Sequence, residues 1–130
     1  MELWAGRLLV FVAATHLLLA IIGIVPHMGS LAPDGLLGAV DPPWNPQHPD
    51  RQAAFWTSLG SFAGPQLLWG LWIIRSASTG QRLPGSTGLA LLILTVVQVS
   101  LAPVGGFWLN LLPAVLLIAA EVSGRMPARA

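Results

Sequence analysis

The residue with most chemistry to offer is His16, an ionisable side chain in the middle of the apolar run Leu3–Val25. Imidazole can both accept and donate a proton. An ionisable group deep in an apolar segment is a functional-site hypothesis by default. His16 would act as a general acid or base, with Asp41 or Asp50 as its acid–base partner. The alternative role is structural: a histidine hydrogen-bonded to Gln98, Ser61 or a backbone carbonyl, holding helices together. Other neutral polar residues interrupt the apolar runs at comparable depth. They are Thr57, Ser58, Ser61 and Gln66 in the second run, Thr95 and Gln98 in the third, and Asn110 in the fourth. Thr95 and Gln98 are three residues apart, which places them on one helix face. These residues suggest a polar pocket that could hold the head of a lipophilic molecule. His16, Ser61, Gln66, Gln98 and Asn110 are the candidate ligand contacts, joined by Arg51 and Trp56.

Other chemistries find little support. Cysteine is absent, which removes disulfides, thiolate metal sites and a cysteine nucleophile. His27, Asp34, Asp41, His48 and Asp50 lack a recognised ligand spacing, so no metal is expected. The chain carries none of the GxSxG, HExxH, GxGxxG or P-loop patterns, so no cofactor is expected either. Asp50, just before the second run, also suits a helix N-cap. Glu121 and Arg125 are four residues apart and suit an exposed ion pair, which contributes little.

The elements that must position these residues follow from composition. Hydrophobic residues make up 55% of the 130 and charged residues 8%, against about 25% charged in ordinary soluble domains. So few charges cannot cover the surface of a small soluble domain, and the balance points to a membrane. A net charge of +1 carried by scattered arginines is no nucleic-acid-binding patch. Four runs, 3–25, 53–74, 87–104 and 106–122, are long enough to cross a bilayer, which takes about 17–25 residues. Spanning segments must satisfy their own backbone hydrogen bonds, so the expected fold is all-α. It is a single domain, 1–130, built as a four-transmembrane-helix bundle. A signal peptide is the alternative reading of the first run, but no small-x-small cleavage site follows it.

With four spans, Arg7, Arg75, Arg82, Arg125 and Arg129 share one side, and Arg51 stands on the other with Asp34, Asp41 and Asp50. That bias places both termini in the cytoplasm. The expected location is multi-pass, in a bacterial cytoplasmic (inner) membrane. Trp4, Trp69 and Trp72 would anchor at the inner interface, and Trp56 and Trp108 at the outer. Residues 26–52 form a long, proline-rich extracytoplasmic loop between the first two helices, suited to act as a lid. Gly64-Pro65, in mid-span, should kink the second helix. Gly60 and Gly64 form a GxxxG, which serves close packing within the bundle or a homo-oligomer.

Three stretches carry a resemblance: Val40-Asp-Pro-Pro43, Arg51-Gln-Ala-Ala-Phe-Trp56 and Pro103-Val-Gly-Gly-Phe-Trp108. With Trp-x-Gly-Arg at 4–7 and a histidine in the first run, the chain resembles an uncharacterised family of small bacterial four-helix integral membrane proteins. The resemblance implies the four-helix architecture and carries no activity. Small multidrug exporters are similar in size but use a membrane-embedded Glu in their first span. Here Glu2 lies outside that span, which argues against transport. Three functional expectations result. The first is an integral membrane protein binding a lipophilic small molecule among membrane lipids. The second is a cofactor-independent intramembrane isomerase, cyclase or hydrolase using His16. The third is a structural subunit of a membrane complex.

Overall fold

The computed structural model describes residues 1–24, 61–101 and 106–125. Among these all the regular secondary structure is helical. Helix α1 is Glu2–Ile24, α2 is Ala63–Ser78, α3 is Ser86–Leu101 and α4 is Leu111–Arg125, entered through a 3-10 turn at Gly106–Asn110. The lid loop 26–52, with Asp41, Asp50 and Arg51, lies outside the described residues, as do Trp56 and Gly60. By contacts the chain divides into two compact units, Met1–Ala13 with Pro65–Ala130, and Ala14–Gly64.

In the first unit the helices alternate in direction. Gly6 approaches Ile73 and Ile74 while Gly70 approaches Val10, so α1 and α2 run antiparallel. Gly88 meets Leu117 and Ile118, so the start of α3 lies against the end of α4. One small cavity is lined by Glu2, Thr87 and Glu121, and a groove beside it by Glu2, Ala77 and Ala120. The starts of α1 and α3 and the ends of α2 and α4 therefore share one end of the unit. A core of Ala5, Leu9, Ile73, Leu91, Ala114 and Leu117 joins all four helices.

Two crossings bring backbones together. A Cβ on Gly70 would lie 3.0 Å from the Val10 nitrogen and 3.2 Å from the Gly6 carbonyl oxygen. A Cβ on Gly88 would lie 2.8 Å from the Ile118 nitrogen. Backbone atoms cannot step aside as a side-chain tip can, so only glycine permits these approaches. Of the expected GxxxG, Gly60 lies outside the described residues, and a Cβ on Gly64 would meet nothing within 4 Å among them.

Helix ends explain where the apolar runs and the helices differ. Following a bend and a turn at Ser61–Phe62, α2 starts at Ala63, inside the expected span 53–74. The Ser61 hydroxyl accepts a hydrogen bond from the Ala63 N–H at 3.4 Å, a local turn of the kind serine favours. Pro65 is then the third residue of the helix, where a missing N–H breaks no intrahelical bond. Residues 53–60 of the expected span, on the other side of the expected kink, lie outside the described residues. Pro113 holds the same third position in α4. Without an N–H it cannot bond back to Leu109, consistent with a 3-10 turn before the α-helix begins. At its far end α2 closes on Gly80, with φ of 71°. Gln81 N–H donates to the Ser76 carbonyl at 2.9 Å and Gly80 N–H to that of Ala77 at 3.4 Å, the Schellman arrangement that left-handed glycine allows.

The polarity of the first unit is inverted relative to a soluble bundle. The buried stripes carry Gln66, Ser76, Thr87, Thr95, Gln98 and Asn110, while Leu68, Trp72, Ile93, Val96, Leu112 and Val115 face outward. A soluble amphipathic helix shows the opposite pattern. Glu2–Ile22 and Gly106–Gly124 are each long and apolar enough to cross a membrane, and Ser86–Ser100 is a shorter apolar helix. In the other unit, α1 continues with Leu18, Leu19, Ile21 and Ile22 exposed.

The glycine crossings generate a test. Gly70→Ala and Gly88→Ala force the helices apart, at about 1–3 kcal/mol of overpacking, more than the helix propensity of up to about 1 kcal/mol that alanine adds. Gly124→Ala meets nothing within 4 Å and serves as the control. Thermal unfolding of the purified protein should show a lower midpoint for the first two and no loss for the third.

Candidate functional site

Three amide side chains from three elements are buried in the first unit. Gln66 on α2 is 1% exposed, Gln98 on α3 is 3% exposed, and Asn110, closing the 3-10 turn, is 0% exposed. Their positions in the alternating bundle set their level. From the end marked by Ala77, Thr87 and Glu121, each lies eleven residues along its own chain segment. At 1.5 Å per helical residue that is about 16 Å. All three amides are buried and by this count fall at a similar level, as does the small buried Ala13 of α1, eleven residues from Glu2.

The side-chain nitrogens of Gln66, Gln98 and Asn110, and the amide oxygens of Gln98 and Asn110, have no hydrogen-bond partner among the described residues. Leaving a buried polar group unmet costs about 1–3 kcal/mol. Native interiors rarely carry such groups without a water, ion or ligand to meet them. The neighbouring hydroxyls do not supply the bonds. Thr95 donates to the Leu91 carbonyl one turn back at 2.7 Å, and Ser100 to that of Val96 at 2.8 Å. Thr95 therefore lies on the same face as Gln98, as its spacing requires, but is satisfied within its own helix.

The other expected site residues belong to the second unit or lie outside the described residues. His16 is partly buried in the unit Ala14–Gly64, and so is Ser61, whose hydroxyl is engaged at the start of α2. Asp41, Asp50, Arg51 and Trp56 lie outside the described residues. No group of three or more metal-binding side chains occurs among the described residues.

The opposite end of the first unit is where the charges are. Glu2, Arg7, Arg75, Arg82, Glu121 and Arg125 all lie at or near it, and they are all the charged residues among those described. The Arg7 guanidinium lies 5.2 Å from the centre of the Trp4 ring, within cation–π range. The cavity lined by Glu2 and Glu121 has a volume of about 20 Å³, room for about one water molecule. Gly6 and Gly88 lie toward this charged end, and Gly70 lies one turn from Gln66. Residues 6, 70 and 88 belong to different helices, and no motif within one helix announces them.

The amides make a stability prediction. Gln98→Met keeps the volume and removes two unmet polar atoms. The ligand-free protein should gain about 1–3 kcal/mol, read as a higher unfolding midpoint after exhaustive detergent exchange. A drop in the midpoint would mean that Gln98 is hydrogen-bonded in the purified protein.

Neither a curated protein nor a solved structure matches the chain. A family model does match, over residues 1–124, from the first residue of the chain almost to the end of α4. That coverage takes in both glycine crossings and all three buried amides, and the chain belongs to DUF6463, a family of unknown function.

Proposed function

We propose that this protein is a multi-pass membrane protein that holds a lipophilic small molecule within its helix bundle. The observation that carries the reading is the level of three buried, unmet amides inside a bundle whose outward surface is apolar. In water that surface would aggregate; in a bilayer it is solvated by lipid tails, and the amides become the internal polar contacts. A lipophilic ligand enters such a site from the hydrocarbon, leaves its tail among apolar side chains and directs its head to Gln66, Gln98 and Asn110.

The placement in the membrane follows the charges. The end bearing Arg7, Arg75, Arg82 and Arg125 takes the cytoplasmic side under the positive-inside rule. Both termini then lie in the cytoplasm of a bacterial cell, and four helices cross its cytoplasmic membrane. The exposed Trp4, stacked with Arg7, sits at the inner interface. The amides, away from the charged end, lie toward the outer half.

Native mass spectrometry of the gently solubilised protein tests this reading. Wild type should retain a small molecule that Asn110→Leu, of the same oligomeric state and still folded, releases. His16→Ala is measured beside it. Retention there with loss in Asn110→Leu assigns binding to the amides. Loss of the ligand in His16→Ala would bring the histidine into the site and favour the acid–base reading. A ligand-free wild type would move the function to that of a structural subunit.

A further inference from the structure

We infer that the ligand presents an uncharged polar head carrying both a hydrogen-bond donor and more than one acceptor position. The class includes a primary amide, a hydroxy-ketone or a comparable neutral oxygenated head on a lipophilic chain. The inference rests on the pocket reading above and deepens it.

The argument is one of complementarity. Gln66 leaves one donor group unmet, and Gln98 and Asn110 each leave a donor group and an acceptor unmet. Amide nitrogens donate and amide oxygens accept. A head that only accepts would leave the two oxygens buried without a partner, and a head that only donates would leave the three nitrogens so. A carboxylate or phosphate accepts only; an ammonium donates only. Each would also bring a full charge into a low-dielectric interior, where burial requires a compensating charge. The described charged residues are gathered toward the other end of the unit, with Thr87 and Glu121 eleven residues from Gln98 and Asn110. Among the described residues no Arg, Asp or Glu lies at the level of the amides. A neutral head with both functions meets the amides and brings no charge.

The test holds the tail constant and varies the head. Full-length protein in a non-ionic detergent is titrated with oleamide, methyl oleate, oleate, oleylamine and cis-9-octadecene, with binding read by native mass spectrometry. Oleamide should bind tightest. Methyl oleate, which lacks the donor, should be weaker by about tenfold or more, the ratio that follows from leaving one buried polar group unmet. Oleate and oleylamine should bind no better than the hydrocarbon. Asn110→Leu and Gln98→Met should each remove the preference for oleamide; their unfolding midpoints show that they are folded. Tighter binding of oleate or oleylamine overturns the neutral head while leaving a pocket in place. Equal binding of octadecene and oleamide means that the amides do not contact the head, and also overturns it. If no oleyl compound binds, the inference fails. The pocket reading is then judged separately, by the molecule that wild type retains on purification.

Discussion

Backbone-to-backbone contact at two glycine crossings is the constraint from which the rest of the bundle follows. Gly70 lies against the backbone of Gly6 and Val10, and Gly88 against that of Ile118. Each is a place where a single added methyl would have to displace a main chain. Such contacts matter most where the hydrophobic effect cannot gather helices, because lipid tails are as apolar as leucine. They set the spacing at which the core of Ala5, Leu9, Ile73, Leu91, Ala114 and Leu117 closes.

The second constraint is the inverted distribution of polarity. The interior holds hydroxyls and amides while large apolar side chains face outward. The hydroxyls of Thr95 and Ser100 are absorbed by their own helices, a local solution open to short side chains. Gln and Asn side chains cannot close so readily on the preceding turn, so Gln66, Gln98 and Asn110 depend on what lies across the bundle. A protein stabilised mainly by packing would place leucine or methionine there. Keeping three unmet amides opposes stability. Neutral amides also differ in kind from the embedded carboxylate of a proton-coupled exporter: they offer hydrogen bonds without a charge to exchange.

Much of the helical framework was legible in the order of residues. The apolar runs placed α1, α3 and α4 close to where they stand. The start of α2 was not legible, because Ser61, Phe62 and Ala63 sit inside an unbroken apolar run. The bend and turn at Ser61–Phe62 mark that start, a few residues before Gly64-Pro65. Of the candidate site, Gln66, Gln98 and Asn110 were visible as polar residues at similar depth. Their common level required the alternation of the helices and the extension of α2 to Ser78, four residues past the expected end of its span.

The sequence by itself determined the helical class, the family and the polar residues available to a site, since these depend on composition, local hydrogen bonding and residue identity. Which glycines carry the packing only the tertiary structure decided. The GxxxG at Gly60 and Gly64 was the visible motif, yet the described close approaches use Gly6, Gly70 and Gly88, which gain meaning only when two helices meet. The same holds for the amides. A side chain's depth follows from its place along one helix, but its burial, its level beside others and its lack of a hydrogen-bond partner are properties of several helices at once.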